Sequence, residues 1–362
     1  MRFEGGNRTD NTFERARQAL APERFGFVPH LHGWVREFPY IGPVAFASLA
    51  WPHNQVLTYD YEAAGATSTN ALALLVSLQQ KVWGFPPEET VPVNVLSILR
   101  DTGGGIIVAY EPEKGFNADG WLGFAIGMGT RSGEMYSHML GVREDVRGTG
   151  NLGWSLKVLQ ASLAVETGHH AMTWTFDPLR GANARLNIEK LGASMVNLTI
   201  DKYGVMRSSL YGDVPTDRFT AYWDLLDSRM HERLDSVRDG RYQPLNGPDL
   251  EAIPEVNLSN LPEMAALRPR ALRYRIPGSI DDLMRTDPAA AVQWRQEMRQ
   301  ILGAFMTVKR AAIDPQTLHE GPIAVSAGIE PGEYLATGFS SWIDESADER
   351  LSYYILTKGS PS

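Results

Sequence analysis

The sequence contains no cysteine. Disulfides, thiolate zinc sites, iron–sulfur clusters and cysteine nucleophiles are thereby excluded, and the expected compartment is the reducing cytoplasm. Nor is there an excess of positive charge. Lys and Arg number 34 against 43 Asp and Glu, a formal net charge of −9. That balance argues against binding to nucleic acid, which needs a basic surface, and leaves room only for a local basic pocket. No run of about 18 apolar residues occurs, so no membrane span is expected. The opening "MRFEGGNRTD" holds no apolar core of the kind a secretion signal carries. No Gly-x-Ser-x-Gly elbow, Walker loop or Rossmann fingerprint is found. His30 and His32 form an H-x-H pair, but no acidic partner follows at ligand spacing, so no metal is expected.

What is there is a chain of 362 residues, 43% hydrophobic and 21% charged. It is ordinary for a globular protein and long enough for more than one folding unit. Residues 1–62 show no clear period. Trp34, Phe38 and Tyr40 nonetheless argue for an ordered N-terminal arm laid over the main domain and shaping a substrate cleft, because a solvated tail gains nothing from such rings.

From 63 to 238 the pattern sharpens. "STNALALLVSLQQKVWG" reads as a helix capped by Ser68 or Thr69, and "VPVNVLSILRDTGGG" as a second that stops at its glycines. "GIIVAY" and "GWLGFAIGMG" read as an antiparallel pair and "EMYSHMLGV" as a third strand. The glycine turn "VREDVRGTGNLG" follows, then "NLGWSLKVLQASLAVETG". The latter reads as an amphipathic helix with Leu152, Leu156, Leu159 and Leu163 at steps of four, three and four, ended by Gly168. "AMTWTFD" and "SMVNLTI" read as strands around a short helix, "GANARLNIEKLG", and "FTAYWDL" as one more strand. Residues 239–266, rich in Pro, Gly, Asn and Asp, read as a linker. Residues 267–362 read as a smaller α/β unit: a strand at "ALRYRIP", a helix at "AAAVQWRQEMRQILGAFM" and a terminal hairpin from "YLATGFSS" and "LSYYILT".

The glycine turn carries the chemistry most open to reading. A helix start presents unpaired N–H groups and a partial positive charge, and glycines let the backbone approach a phosphate without a Cβ. The same glycines also suit a plain tight turn. Glu134, Tyr136 and His138 alternate along the preceding strand and so share a face, a carboxylate, a phenol and an imidazole suited to proton handling. The bland alternative is a solvated strand end at Glu134 and a hydrogen-bonded core histidine at His138. Asp177, after "WTF", suits a cap or a loop anchor, and His169 and His170 suit the C-terminal end of a helix dipole.

The order of elements over 65–230, together with "SHMLGV", "WTFDPL", "NARLNIEKLGA" and "YGVMRSSLYGDVPTDRFTAYWDL", resembles the GNAT acyltransferase superfamily, in a little-studied branch with a C-terminal extension. The resemblance implies an α/β fold: a mixed, mostly antiparallel central sheet flanked by helices, here with the N-terminal arm and a smaller C-terminal α/β unit. It implies an acyl-coenzyme A-dependent N-acyltransferase acting on a small molecule, with acetyl-CoA or another acyl-CoA as cofactor; a homodimer is compatible with it. The superfamily turn, Arg/Gln-x-x-Gly-x-Gly/Ala, binds the pyrophosphate. Arg147, Gly148, Thr149 and Gly150 match it, Val142 marks the entry of the strand into the turn, and Gly153 arrives one residue late, after Leu152. Asn183 stands near the position of an asparagine that contacts the pantetheine arm. The usual tyrosine acid is replaced by Ile188 and the following aromatic by Ala193; either Tyr203 or Tyr211 substitutes, or these are packing or surface tyrosines and transfer runs without an acid. The catalytic candidates are therefore His138, Glu134 and Tyr203. The departures at Gly153 and Ile188 motivate two alternatives: a GNAT-fold enzyme diverted to decarboxylation, oxygenation or hydrolysis of a hydrophobic substrate without coenzyme A, or a non-catalytic ligand-binding protein.

Overall fold

The computed structural model describes residues 10–30, 33–49, 68–84, 86–99, 104–115, 119–148, 150–203, 215–245, 247–310, 332–346 and 348–359. Contacts divide the chain into two compact units. The first is formed by the described parts of Met1–Thr173 and Asp224–Asp235, and the second by those of Trp174–Arg207, Tyr211–Trp223 and Ser236–Ser362.

The first unit is a sheet whose strands run in chain order: β1 (Val28–His30), β2 (Gly33–Phe38), β3 (Gly42–Ser48), β4 (Gly105–Tyr110), β5 (Trp121–Gly129) and β6 (Glu134–Val142). Each is antiparallel to the next, and β7 (Ala171–Phe176) then begins parallel to β6. One face is covered by α2 (Ser68–Trp83) and α3 (Val93–Ile98). Leu75, Leu78 and Val82 of α2 and Leu96 of α3 pack with Ala45, Ala47, Ile106, Val108, Phe124 and Ile126. Each large side chain so buried stabilises the fold by about 1.5–3 kcal/mol. The other face is covered by α4 (Leu152–Glu166), whose outer side is covered in turn by α1 (Asp10–Ala19) and the 3-10 turn Pro22–Phe25.

Two expectations are corrected here. The first 60 residues lie over α4 in part, through α1 and the Pro22–Phe25 turn, but they are not an irregular arm: where described, they supply a helix and three sheet strands, with β3 pairing β4 from Ala45↔Tyr110 to Ser48↔Ile107. Short strands broken by Pro29, Pro43 and the left-handed Tyr40 (φ 76°) and Gly42 (φ 82°) leave no period long enough to read. Nor is α4 amphipathic. Leu152, Leu156, Leu159 and Leu163 are buried, but so are Ser155, Lys157, Gln160 and Ser162: Lys157 and Gln160 meet Ser137 of β6, Ser155 meets Arg36 of β2, and α1 and the Pro22–Phe25 turn pack on the helix as well. Phe25 meets Trp154 edge-on, ring centroids 5.7 Å apart.

In the second unit the strand order is the end of β7, then β9 (Arg218–Asp224), β8 (Ser194–Ile200), β13 (Tyr334–Asp344), β14 (Glu349–Lys358), β11 (Ala271–Ile276) and β10 (Glu255–Val256), with β12 (Val308–Arg310) parallel to β8. The β13–β14 hairpin and α10 (Pro288–Phe305) lie where the sequence places them. Residues 239–266, read as a linker, hold two short helices, Gly247–Glu251 and Leu261–Leu267, and β10. The short helix expected at 181–192 is one α-turn, Gly181–Ala184, continued as a π-helix, Arg185–Lys190. An ionic network, buried at Asp177, Asp217 and Arg295 and reaching the surface at Asp201, ties this unit together. Arg295 of α10 binds Asp177 at 2.8 Å, and Arg299 binds Asp217 and Asp201, each at 2.8 Å. Asp177 also accepts from the Leu179 N–H at 3.0 Å, which makes it a loop anchor.

Candidate functional site

β6 organises the site. It pairs with β5 along its length, but with β7 only over Glu134–Tyr136, against Ala171–Thr173. From Ser137 to Val142 its second edge has no ladder partner among the described residues of this unit. Ser137 and Met139 stand opposite the consecutive pair Gly127 and Ile126, so His138 is the extra residue of a β-bulge. The bulge inverts the side-chain alternation. Ser137 faces α4, where it bonds Gln160 and Lys157, whereas Met139 and Gly141 face α2; a Cβ on Gly141 would meet Val82 and Trp83 at 3.0 Å.

His138 is exposed, its ring centroid 6.4 Å from that of Tyr136. Glu134 is half-buried and belongs to the preceding turn, where its carboxylate accepts from Ser132 Oγ at 3.2 Å and its carbonyl from Thr130.

Beyond Val142 the chain passes through a 3-10 turn, Glu144–Val146, into the glycine stretch. Gly148 (φ 81°), Gly150 (φ 69°) and Asn151 (φ 67°) are all left-handed, a backbone that glycine adopts without strain and that asparagine tolerates. Asn151 precedes α4, and its side chain makes no capping hydrogen bond to the helix. A Cβ on Gly148 would enter open space, whereas one on Gly150 would lie 3.0 Å from Phe38 Cδ1 and 3.5 Å from the Pro39 carbonyl oxygen. Gly148 thus leaves the turn open outward, and Gly150 is a glycine because β2 ends against it. Arg147 is exposed and donates to the Val142 carbonyl at 3.3 Å, bridging the two ends of the turn. Gly153 lies half-buried in the first turn of α4. Thr149 lies outside the described residues.

One residue at this place was not legible as a candidate. Arg36 of β2 donates from Nη1 to Ser155 Oγ in the first turn of α4 at 2.5 Å. Its guanidinium sits 5.1 Å from the ring centroid of Phe38 and 5.5 Å from those of Phe27 and Trp154. Burial lowers its pKa, and no carboxylate among the described residues pairs with it. A desolvated cation therefore stands at the positive end of a 15-residue helix without a counter-charge among the described residues. The signal was present in "GWVREF": Trp34, Arg36 and Phe38 alternate onto one strand face, and an arginine between two aromatics on an inward face calls for a reason.

The remaining candidates belong to the second unit. Tyr203 is exposed; its hydroxyl is 3.2 Å from Thr175 Oγ1, and Arg218 stacks 5.3 Å from its ring centroid. Asn183 is half-buried in the Gly181–Ala184 turn. Ile188 is fully buried in the π-helix. Tyr211 and His32 lie outside the described residues. His169 is buried behind the C-terminus of α4 with Nδ1 3.3 Å from the Ala164 carbonyl, and burial holds its pKa below the ordinary histidine value. It serves that helix end as a neutral hydrogen-bonding group and not as the dipole-compensating charge expected of it. Among the described residues no group of three His, Asp or Glu side chains is placed to hold a metal, and no helix is long and apolar enough to cross a membrane. A cavity of about 550 Å³, lined by Asn11, Phe13, Glu14, Arg17 and Gly168, lies beyond the C-terminal end of α4, the opposite end from the glycine turn.

No family model matches the chain, and no curated protein matches it. Among solved structures, many acetyltransferases are similar in fold. A protein assigned by inference to the GNAT family, from Desulfovibrio desulfuricans, is 18% identical over 50% of this chain and 99% of its own, with a TM-score of 0.35. A ribosomal-protein-alanine N-acetyltransferase from Brucella melitensis is 15% identical over 44% and 96%, with a TM-score of 0.34. An acetyltransferase from Bacillus subtilis in complex with CoA is 15% identical over 36% and 82%, with a TM-score of 0.30. These likenesses concern the course of the chain alone.

Proposed function

We propose that this chain is an acyl-coenzyme A-dependent N-acyltransferase acting on a small molecule. The observation that carries the reading is the continuity of three features along residues 137–155. Past the bulge at His138 a strand edge without a ladder partner among the described residues of its unit enters a left-handed glycine turn and ends at the start of α4 beside Arg36. The residues fit a diphosphate: the turn is open outward at Gly148, and the local charge, from the helix end and Arg36, is positive and uncompensated among the described residues. The backbone of Gly148, Gly150 and Gly153, Asn151 and the guanidinium of Arg36 would hold that group, with Arg147 at the rim. The edge of β6 from Met139 to Gly141, without a ladder partner among the described residues of its unit, offers peptide groups to an amide-bearing arm.

Coenzyme A would supply an acyl group activated as a thioester. The exposed imidazole of His138, beside the bulge, is the side chain suited to take a proton from an amine at neutral pH. Glu134, held by Ser132, is assigned a supporting and not a direct part. The roles the resemblance implies for Tyr203 and Asn183, acid and pantetheine contact, are tested on each residue by itself. A second reading, chemistry without coenzyme A, is favoured by one observation: Phe38 and Pro39 lie against one side of Gly150.

The test is titration calorimetry with acetyl-CoA, followed by release of free thiol from acetyl-CoA in the presence of a panel of small amines. Because the chain has no cysteine, a thiol-reactive dye reads coenzyme A release without protein background. Binding with amine-dependent release supports the first reading. A folded protein with no heat at millimolar acetyl-CoA contradicts it.

A further inference from the structure

Lys157 projects from α4 into the interior and is 3% exposed. Its Nζ donates to Ser137 Oγ at 2.7 Å, and Ser137 Oγ donates to Gln160 Oε1 at 2.7 Å. All three side chains are buried, and Gln160 Nε2 has no hydrogen-bond partner among the described residues. β5 is shaped around this relay: a Cβ on Gly127 would meet Met135 Sδ at 2.8 Å and Gln160 Nε2 at 3.1 Å. An ionisable amine is costly inside a core, and burial pushes this one well below the ordinary lysine range. Methionine is of similar length and carries no such cost, so the demand for lysine here is not one of packing.

The relay holds Ser137, and Ser137 is the residue before the bulge. A bulge sets two residues against one: moving it by one position would put His138 instead of Met139 opposite Ile126, and losing it would turn every later side chain of β6 onto the other face. A hydroxyl fixed from two sides at that point selects one register. We propose that Lys157, through Ser137 and Gln160, is a positioning residue that pins the bulge and so presents His138 and the adjoining open edge in a single arrangement. The catalytic consequence rests on the acyltransferase reading; the pinning does not.

The test uses the full chain. Lys157→Met is expected to raise Tm, since a buried amine is removed, and at the same time to speed hydrogen exchange of the 137–139 amides at least tenfold, with exchange in the middle of α4 no faster. Ser137→Ala should loosen the same amides, and Ser137→Thr, which keeps the hydroxyl, should restore them. Thiol release from acetyl-CoA should fall about tenfold in Lys157→Met, with acetyl-CoA affinity falling less, since the glycine turn and Arg36 are untouched. If Lys157→Met does not fold, Lys157→Gln and Ser137→Ala carry the exchange measurement. Unchanged exchange at 137–139 in the Lys157 and Ser137 variants overturns the proposal whatever happens to Tm. Loosened amides in a protein whose wild type does not bind acetyl-CoA support the pinning and overturn the acyltransferase reading instead.

Discussion

Replacing Arg36 by methionine separates its structural part from its binding part. In the free protein the guanidinium has three ring contacts and one hydrogen bond to Ser155. Cation–π contacts contribute about 0.5–1 kcal/mol each where solvent reaches them, and the hydrogen bond about 1 kcal/mol. Against these stand the desolvation of the charge, which burial marks by lowering its pKa, and repulsion from the positive end of α4. The thioether keeps favourable contacts with Phe27, Phe38 and Trp154, of about 0.3–1.5 kcal/mol each. The terms nearly cancel, so the free variant should melt within a few degrees of wild type. Binding differs. A charge-assisted hydrogen bond to a phosphate is worth about 1.5–3 kcal/mol, so acetyl-CoA should bind roughly ten- to a hundredfold more weakly. The affinity of the variant should also fall less steeply with added salt. Calorimetry at two salt concentrations, with thermal melts on the same preparation, measures both parts. Wild-type affinity and salt dependence in a folded Arg36→Met protein would refute the reasoning.

Further outcomes are expected elsewhere. Gly150→Val should destabilise by more than about 1–2 kcal/mol, because it adds a clash with Phe38 to a left-handed φ, and Phe38→Ala should relieve only the clash; thermal melts of the single and double variants separate the two. His138→Ala should slow amine-dependent thiol release by about two to four powers of ten, with Tm unchanged since the ring is exposed; a variant that melts early yet turns over normally removes His138 from the site. Arg295→Met should cost about 3–5 kcal/mol at neutral pH by leaving Asp177 buried without its cation. Burial alone would raise the pKa of Asp177, but Arg295, joined by Arg218 and the Leu179 N–H, holds the carboxyl below its ordinary value. The wild-type contribution is therefore present above the unfolded carboxyl pKa and lost as pH falls through the folded one. The stability gap between wild type and variant should narrow on acidification, and a gap independent of pH would contradict the assignment.

Much of the architecture was legible because long elements carry a period. The β4–β5–β6 run, α2, α10 and the β13–β14 hairpin are all where alternation or 3.6-residue spacing places them. The glycine turn was legible because Gly148 and Gly150 flag left-handed backbone, though not that Gly150 answers to Phe38. Three features were hidden for physical reasons. β1–β3 are too short and too interrupted for a period to form. The bulge at His138 is a property of the pairing of two strands, and its one trace in the sequence is the isolated Gly127 opposite. Lys157 reads from the sequence as a solvated residue of α4 and is interior only because it bonds Ser137 across the helix–sheet contact, a tertiary pairing no local pattern encodes.

The most direct measurement of the central claim is titration calorimetry of the wild-type protein with acetyl-CoA, repeated with inorganic pyrophosphate as competitor. The account predicts saturable, salt-sensitive binding of acetyl-CoA that pyrophosphate weakens, since both occupy the turn at Gly148–Asn151 beside Arg36. Absence of binding at millimolar acetyl-CoA in a folded protein, or binding that pyrophosphate leaves untouched, would contradict it.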